Sequence, residues 1–425
     1  MSRLELIATT AFGLEAVVGR ELADLGYTER TIADGRVTFI GDEAAICRAN
    51  IHLRSAERVF LKLAEFETRD FGELFDRTFA LPWAEWLPAD AEFPVRGKSI
   101  RSQLASVPDC QKLVKKAIVE KLKETHDVAW FEETGAAFAV EVSILRDRVT
   151  IAIDTTGADG LHKRGYRTLR GTAPLKETLA AALVQLSYWN RERPFLDPFC
   201  GTGTIPIEAA FLGRRIAPGI NRAFASEDWP AISSATWAAA REEARDLVKP
   251  AFEFPLVATD ADPAALSKAR YHAQQAGVGD DIHFQEQLFE DVSSSRKFGC
   301  LITNPPYGER LGETEDVEAL YHDMGMKLRH WETWSVYVIT AMREFEKLFG
   351  RKAERRRKIY NGRIECTYYQ FQGPRPPRSP QPDPPQPDPM PDDAGEQRCG
   401  STARGRFARR KLSIATRGSK SSATK

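Results

Sequence analysis

The sequence of 425 residues lacks an excess of either charge, because 60 lysine and arginine residues balance 60 aspartate and glutamate residues. Its six cysteines are scattered without a Cys-x-x-Cys pair, and its seven histidines form no cluster with metal-ligand spacing. Charged residues interrupt the first 20 positions, and no segment offers about 18 uncharged apolar residues in a row. We therefore expect a cytoplasmic protein with reduced thiols, no metal, and no export or membrane-spanning segment.

Hydrophobic residues make up 42% of the chain, which is enough for packed cores and excludes a wholly disordered, collagen-like or coiled-coil protein. At about 150 residues per domain, the length suggests roughly two to three domains. A net charge of zero normally argues against a nucleic-acid partner, but basic residues collect in particular stretches of this chain. The positions of the charges, rather than their sum, must therefore indicate the partner.

The chain divides by pattern into five segments. Strand and helix patterns predict two small α+β units, at 1–55 and 56–155, followed by a basic linker at 156–173. In the segment 174–372, a first helix is followed by strands that alternate with helices, which predicts a doubly wound α/β sheet. The last segment, 373–425, is proline-rich and then basic. We expect it to be extended or disordered, and to be either a solvated end or a non-specific RNA contact.

A glycine-rich turn joins a predicted strand to a helix at residues 197–206, with the sequence DPFCGTGTIP. Glycine lacks the Cβ that would keep a ligand away from the backbone N–H groups of such a turn. No lysine lies in the turn, which disfavours a nucleoside triphosphate, and Pro206 stands where a dinucleotide-binding turn needs glycine or alanine. The turn therefore favours a cofactor with a nucleoside end and a cationic amino-acid end, whose positive charge would suit Asp197.

An acidic residue, Asp260, ends the next predicted strand, and its carboxylate could accept hydrogen bonds from ribose hydroxyls. Helix capping is the alternative, above all for Asp262, which precedes a proline. The gap between Asp197 and Asp260 is about three times the usual roughly 20 residues, which indicates an insertion at 213–250 near the cofactor. Four residues of this insertion could form a lid or could simply pack: Asn221, Arg222, Phe224 and Trp229.

Another predicted strand ends in the sequence LITNPPYG at residues 301–308. Two successive prolines fix φ and remove two N–H donors, so this turn should be stiff, with carbonyl groups that point outward unpaired. The Asn304 Oδ1 and Pro305 carbonyl oxygens could accept both hydrogens of a base amino group, while Tyr307 stacks on the ring. Such acceptors would free the nitrogen lone pair for attack by positioning and electrostatics alone. The alternative is a plain strand-ending turn.

Together these motifs resemble a known family. DPFCGTGTIPIEAA and NPPYGERLG resemble the cofactor loop and catalytic motif of class I amino-methyltransferases, and SQLASVPDCQKLVKKAIVEKL with LHKRGYR resembles a THUMP domain and its linker. The resemblance is to THUMP-containing RNA methyltransferases that modify guanine N2 in large-subunit ribosomal RNA, and it covers roughly residues 1–372. It implies a Rossmann-like methyltransferase domain with a seven-stranded, mostly parallel sheet, preceded by ferredoxin-like and THUMP units. It also implies S-adenosylmethionine as the cofactor.

The resemblance implies roles for individual residues as well. Asp197, Gly201 and Gly203 would hold the methionine end of the cofactor, and Asp260 its ribose. The whole implied cofactor site consists of Asp197, Pro198, Cys200, Gly201, Thr202, Gly203, Thr204, Asp260, Ala261 and Asn304. The implied catalytic residues are Asn304, Pro305, Pro306 and Tyr307. The family often contacts the adenine with an acid after the third strand, where this chain has FQEQL at 284–288, so Glu286 and Gln287 both stay open.

Basic side chains in the second unit and the linker are candidates for RNA contacts. They could neutralise phosphates without reading the base sequence, which suits a structured RNA; the alternative for each lysine is a solvated helix face. The candidates are Lys98, Arg101, Lys112, Lys115, Lys116, Lys163, Arg164 and Arg167.

Three functions fit these patterns. The favoured one is an S-adenosylmethionine-dependent methyltransferase that acts on guanine N2 of 23S ribosomal RNA, with transfer RNA as the other RNA substrate. An adenine N6 methyltransferase acting on RNA or DNA is the rival, because the same turn accepts either amino group. The third is an RNA-binding ribosome-assembly factor with little catalysis, which the intact Asn-Pro-Pro-Tyr turn disfavours. The oligomeric state stays open.

Overall fold

Two seven-stranded sheets organise the residues that the computed structural model describes, which are 3–127, 130–169, 175–307 and 314–377. Both sheets belong to one compact unit that ends at Pro376. The strands of the first sheet are β1 (Leu4–Thr10), β2 (Arg30–Ala33), β3 (Arg36–Gly41), β4 (Ala56–Glu67), β5 (Val95–Ile100), β6 (Val140–Leu145) and β7 (Arg148–Asp154). Its helices are α1 (Glu15–Asp24), α2 (Glu43–His52), α3 (Phe71–Phe79) and α4 (Val107–His126).

The first sheet runs without a break through both predicted α+β units. Its order is β2-β3-β1-β4-β7-β6-β5, so β1 pairs with β3 on one side and with β4, from the second unit, on the other. Aspartates start two of the helices, since Asp42 caps α2 by accepting from the Ala45 N–H and Asp70 caps α3 in the same way. The division at residue 55 stays a prediction, because one sheet and one core continue across it.

The second sheet carries the glycine turn and the Asn-Pro-Pro-Tyr turn. Its strands are β8 (Phe195–Asp197), β9 (Leu256–Asp260), β10 (Ile282–Glu286), β11 (Cys300–Thr303), β12 (Ser335–Thr340), β13 (Arg355–Asn361) and β14 (Ile364–Phe371). Its helices are α5 (Glu177–Leu186), α6 (Thr204–Arg214), α8 (Pro263–Gln275), α9 (Thr314–Leu328) and α10 (Phe345–Phe349), while α7 (Ser234–Asp246) lies in the predicted insertion.

The order of the second sheet is β10-β9-β8-β11-β12-β14-β13, and β14 alone runs against its neighbours. This confirms the predicted seven-stranded, mostly parallel sheet. Connections leave in opposite directions from β8 and β11, and α/β sheets bind their ligands at such a point, beyond the carboxyl ends of the strands. The predicted cofactor and catalytic motifs follow β8, β9 and β11, so they meet at this edge.

The insertion at 213–250 packs against the first sheet's domain. Helix α7 lies on α2, and the Trp229 indole stacks on Phe138 with ring centroids 4.7 Å apart. Phe224 stacks on Trp237 at 5.4 Å, and Phe224 and Trp229 are both buried. Burial of these two large rings holds the segment in place, so the lid interpretation is wrong for them, and packing is the correct alternative.

The tail begins at the second sheet. Gly373 donates its N–H to Ser335 Oγ, which ties the start of the tail to β12. The prediction for 378–425 lies outside the described residues. Among the helices that the structure describes, none is long and apolar enough to cross a membrane. In the same part of the chain, no group of three or more histidine, cysteine or acidic residues could hold a metal ion.

Candidate active site

The glycine turn after β8 adopts a backbone that glycine favours. Gly201 and Gly203 have φ of 52° and 83°, in the left-handed region, and Gly203 is the N-cap of α6. A Cβ on Gly203 would come within 3.1 Å of Ala269 Cβ, whereas a Cβ on Gly201 would meet nothing within 4 Å. Gly203 therefore allows the turn to pack tightly on α8, and Gly201 leaves open space above the turn.

Asp197, at the end of β8, is a buried carboxyl with one unused oxygen. Its Oδ1 accepts hydrogen bonds from Thr303 Oγ1 at 2.6 Å and from the Phe199 N–H at 3.2 Å. Its Oδ2 has no hydrogen-bond partner among the described residues. Burial, with a smaller contribution from the nearby Asp260 charge, raises the pKa of Asp197 to about 7, although the two hydrogen bonds oppose the shift. A cationic group at Oδ2 would supply the missing partner.

Asp260, at the end of β9, holds the glycine turn in place. Its Oδ2 accepts from the Gly201 N–H at 2.8 Å, and its Oδ1 accepts from the Asp262 N–H at 3.0 Å. Each carboxylate oxygen has a second lone pair, so ribose hydroxyls can still bind there. Asp262 caps α8 by accepting from the Ala264 N–H at 2.8 Å, as the capping alternative predicted.

The other predicted cofactor residues lie around the same turn. Cys200 is buried and donates its N–H to the Thr259 carbonyl at 3.0 Å, which joins the turn to β9. Thr202 contacts His272 Nδ1 through its carbonyl at 3.2 Å, and Thr204 Oγ1 accepts from Arg167 Nη2 at 2.6 Å. Pro198 lies between Asp197 and the turn, and Ala261 is exposed directly after β9. Their roles toward the cofactor stay predictions.

The Asn-Pro-Pro-Tyr turn follows β11 and is linked directly to Asp197. Thr303, the residue before Asn304, donates the hydrogen bond to Asp197 described above. The Tyr307 hydroxyl donates to Asn304 Oδ1 within the turn. Pro305 is buried and Pro306 is exposed. The Asn-Pro-Pro-Tyr turn and the glycine turn therefore share one hydrogen-bonded edge of the sheet.

The sequence analysis missed Tyr321, a residue of α9 whose side chain binds the Asn-Pro-Pro-Tyr turn. Its hydroxyl donates to the Pro306 carbonyl at 2.7 Å, so the expectation that the turn's carbonyls stay unpaired is wrong for Pro306. Thr340 Oγ1 lies 2.8 Å from the Tyr321 hydroxyl and accepts from the Met342 N–H, so Thr340 donates to Tyr321. Burial raises the pKa of Tyr321 to about 12, which keeps its proton in place. Tyr321 and Pro306 are 15 residues apart, so no local sequence pattern could have predicted this hydrogen bond.

The position of Arg164 contradicts its predicted role as an RNA contact. Its side chain is buried and forms an ion pair with the buried Glu208, Nε to Oε1 3.3 Å, in the core that includes Tyr166. It also donates to the carbonyls of Leu161 and Arg54. A guanidinium in this position serves the packing of the linker on α6 and cannot reach RNA, because exposing it would break a buried pair.

Three further candidates have protein partners. Arg167 bridges Thr204 and the Leu175 carbonyl, so it links the linker to the glycine turn. Lys115 pairs with Glu133 at 2.7 Å and lies over a phenylalanine ring, and Lys98 pairs with Glu141 at 2.7 Å. The remaining candidates are exposed, and they are Arg101, Lys112, Lys116 and Lys163. Their part in RNA binding stays a prediction.

Comparison with known proteins identifies the family. Residues 164–370 match the family described as RMKL-like, methyltransferase domain, 5–60 match an RlmL ferredoxin-like domain, and 68–154 match a THUMP domain. The "Putative RNA methyltransferase YpsC" of Bacillus subtilis is 50% identical over 375 residues, which cover 87% of this chain and 96% of the relative. The chain belongs to this THUMP-containing methyltransferase family. The predicted ferredoxin-like, THUMP and class I methyltransferase regions are thereby confirmed as parts of it.

Other relatives of this methyltransferase carry different names. The "Ribosomal RNA large subunit methyltransferase K/L" of Syntrophotalea carbinolica is 33% identical over 381 residues, but those residues cover 53% of that longer protein and 87% of this chain. A crystal structure from Listeria monocytogenes, of "a predicted N6-adenine-specific DNA methylase", is 49% identical with a TM-score of 0.84, and the match covers 88% of this chain and 97% of that one.

A third solved structure bears on the cofactor. SMU.472, described as a "putative methyltransferase complexed with SAH", is 41% identical with a TM-score of 0.84, and the match covers 89% of this chain and all of that one. The prediction of S-adenosylmethionine as the cofactor is confirmed by this family membership. The residues present here fit that group, because a buried carboxylate oxygen without a partner stands beside the open space over Gly201.

Proposed function

We propose that this methyltransferase transfers the methyl group of S-adenosylmethionine to the exocyclic amino group of a base in RNA. The observation that carries the proposal is the hydrogen bond from Thr303 to Asp197, which sets the Asn-Pro-Pro-Tyr turn directly beside the glycine turn. Asp197 Oδ2 binds the amino group of the cofactor's methionine end, and Asp260 binds its ribose. The hydrogen bond supports the proposal because a cofactor held by these two carboxylates would lie at the same edge of the sheet as the acceptor turn.

The acceptor turn works by orientation. S-adenosylmethionine would supply a methyl group on a positively charged sulfur: the N–CH3 bond would form as the S–CH3 bond breaks, the sulfur would keep that electron pair in S-adenosylhomocysteine, and the amine would release one proton to water. Asn304 Oδ1 and the Pro305 carbonyl accept the two hydrogens of the base amine, which turns its lone pair toward that methyl group. The Tyr307 hydroxyl already uses one acceptor position of Asn304 Oδ1, and the second lone pair of this oxygen receives the amine.

Guanine N2 of 23S ribosomal RNA is the target we favour, with transfer RNA as the alternative RNA. The THUMP match and the relatives named as RNA methyltransferases support RNA as the polymer. The name of the longer K/L relative supports large-subunit ribosomal RNA. The name given to the Listeria protein favours the rival, adenine N6 of DNA, and the Asn-Pro-Pro-Tyr turn by itself accepts either amine.

The decisive experiment incubates the purified protein and labelled S-adenosylmethionine with one polymer at a time. The polymers are 23S ribosomal RNA, transfer RNA and DNA, each from a strain that lacks the gene. Nucleoside mass spectrometry then identifies the product. N2-methylguanosine in 23S ribosomal RNA supports the proposal, and N6-methyladenosine in RNA or N6-methyl-2′-deoxyadenosine in DNA supports the rival. RNA binding without methyl transfer to any of the three polymers would support an assembly factor instead.

The Asn304→Ala variant tests the acceptor turn. We expect it to abolish methyl transfer while the affinity for S-adenosylhomocysteine stays within a few fold, because the side chain contacts the base amine and not the methionine end. Asn190→Ala is the matched control, since Asn190 is exposed and precedes the amino end of β8, at the opposite edge of the sheet. Near-normal turnover of Asn304→Ala would remove this residue from the mechanism.

A further inference from the structure

A cavity of about 280 Å³ lies where the loop after β1 meets the start of α5 and the β13–β14 turn. Phe12 from the loop and Tyr360 from β13 line it, with ring centroids 6.4 Å apart in an edge-to-face arrangement. Phe12 leaves 53% of its surface exposed. A phenylalanine that is half exposed beside a cavity offers an aromatic face to a ligand.

The cavity opens at the catalytic edge of the second sheet. Strand β13 runs parallel to β12, because each is antiparallel to β14, so Tyr360 lies toward the same edge as Asn304. On its other side the cavity is lined by Glu57 and Lys176, which form an ion pair at 3.0 Å. The preceding carbonyl, of Leu175, accepts a hydrogen bond from the arginine that also binds Thr204 of the glycine turn. The cavity therefore lies toward the same edge of the sheet as the proposed active site, with β12 and β14 between β13 and the Asn-Pro-Pro-Tyr turn.

The loop that carries Phe12 is held firmly on β13. Arg357 Nη1 donates to the Gly13 carbonyl at 2.8 Å. Gly13 has φ of 91°, and a Cβ at this position would come within 2.7 Å of the Lys358 carbonyl oxygen, so the close approach requires glycine. The ring of Phe12 is thus presented in one place, which lowers the entropic cost of binding a partner there.

Strand β13 is also the most basic edge near this cavity. Residues 351–363 contain seven arginines and lysines and one acidic residue, Glu354. Arg355, Arg356, Lys358 and Arg363 are exposed. Two of them have acidic partners, since Arg356 pairs with Glu346 at 3.3 Å and Lys358 pairs with Glu365 at 2.6 Å. Basic residues on an edge strand also protect it from pairing with other strands, but that role accounts for the charge and leaves the exposed Phe12 unexplained. A polyanion with stackable rings satisfies both features.

We propose that Phe12, Tyr360 and the basic edge of β13 bind a single-stranded segment of the RNA substrate next to the target base. One base stacks on Phe12 at the cavity, and the neighbouring phosphates follow the arginines of β13 and its turn. The site rests on the proposed function, since it takes RNA as the substrate. It also gives the N-terminal ferredoxin-like domain a direct contact with the substrate at the active site.

The stacking half of the site is tested with a fluorescein-labelled, 12-nucleotide single-stranded RNA and fluorescence anisotropy on the full chain. Phe12→Ala should weaken binding about tenfold, because substituting one aromatic side chain that stacks on a base typically reduces the affinity by a factor of this order. Phe12→Tyr keeps an aromatic face and should bind within about twofold of the wild type. Phe254→Ala is the matched control, since Phe254 is 55% exposed and precedes the amino end of β9, at the opposite edge.

The charge half is tested by a salt titration of the same complex. Arg363→Gln should reduce the slope of log affinity against log salt by about 0.7, the value for one phosphate contact on a single strand, whereas Phe12→Ala should leave the slope unchanged. If the wild type binds this RNA, the combined site is wrong when Phe12→Ala keeps the affinity of Phe254→Ala or when Arg363→Gln keeps the wild-type salt slope, and the proposed function then still stands. If the wild type neither binds nor methylates RNA, the proposed function fails and this inference fails with it.

Discussion

Cofactor affinity should fall as the pH drops below 7, because the buried carboxyl of Asp197 must lose its proton before it can pair with a cationic amino group. Burial raises the pKa of this carboxyl to about 7 in the free protein. A cation beside Oδ2 lowers the pKa again, so binding releases a proton at acidic pH. The protein therefore has its full cofactor affinity above pH 7, and this affinity is lost progressively as the pH falls below 7.

The magnitude follows from the same pKa. If the carboxylate alone binds, the dissociation constant scales as one plus ten to the power of 7 minus the pH. Between pH 7.5 and pH 5.5 the affinity for S-adenosylhomocysteine should therefore fall roughly 25-fold. The ligand's amino group, with an ordinary pKa of about 8, stays mostly protonated over this range, so its own titration contributes little.

Isothermal titration calorimetry from pH 5.5 to 7.5 measures this dependence. Asp197→Asn should bind weakly and independently of pH, because it has no proton to lose. Thr303→Val removes a hydrogen bond that favours the carboxylate, so the pKa of Asp197 should rise by about one unit and the affinity should fall roughly 75-fold over the same pH range, instead of roughly 25-fold. Wild-type affinity that stays constant across the range would refute the reasoning, and a wild-type slope retained in Asp197→Asn would place the proton on another group.

Two further predictions concern the turn and the RNA contacts. Tyr321→Phe removes the hydroxyl that holds the Pro306 carbonyl, a hydrogen bond worth about 0.5–1.5 kcal/mol, so kcat should fall by up to about tenfold while KM for RNA and cofactor affinity stay within about twofold. An unchanged kcat would contradict this positioning role. The double variant Lys112→Glu, Lys116→Glu should weaken the binding of structured RNA and lower the slope of log affinity against log salt by about 1.8. The same charge change at Arg245 and Arg329 is the control and should leave this slope unchanged. Equal slopes for the two double variants would count against α4 as an RNA contact.

Local patterns in the sequence were enough to predict the elements that carry the chemistry. The glycine turn, Asp260 and the Asn-Pro-Pro-Tyr turn each follow a short apolar run, and such runs form parallel strands when helices separate them. Because parallel strands end at the same edge, the meeting of these motifs could be expected before any contact was known. The capping role of Asp262 was likewise readable from the proline that follows it.

Long-range partners could not be read in this way. Arg164 looks like any other basic linker residue in the sequence, and only its burial against Glu208 shows that it packs the linker on α6. In the sequence, the aromatic residues of the insertion are equally consistent with a lid and with a packed core. The stacking of Trp229 on Phe138 in the structure decides for packing. A side chain's partner depends on where distant segments meet, and sequence periodicity carries no information on that distance.

Hydrophobic period and turn chemistry are local properties, so the sequence by itself indicated a doubly wound sheet, the residues at the ends of its strands, and a cofactor with a nucleoside end and a cationic amino-acid end. The resemblance of its motifs to a known family implied the class I sheet and S-adenosylmethionine. Only the tertiary structure decided which charged groups stay accessible, that Tyr321 holds the diproline turn, and that the N-terminal domain brings Phe12 to the catalytic edge. Those outcomes depend on contacts between segments far apart in the chain, and packing selects them only when the whole fold has formed.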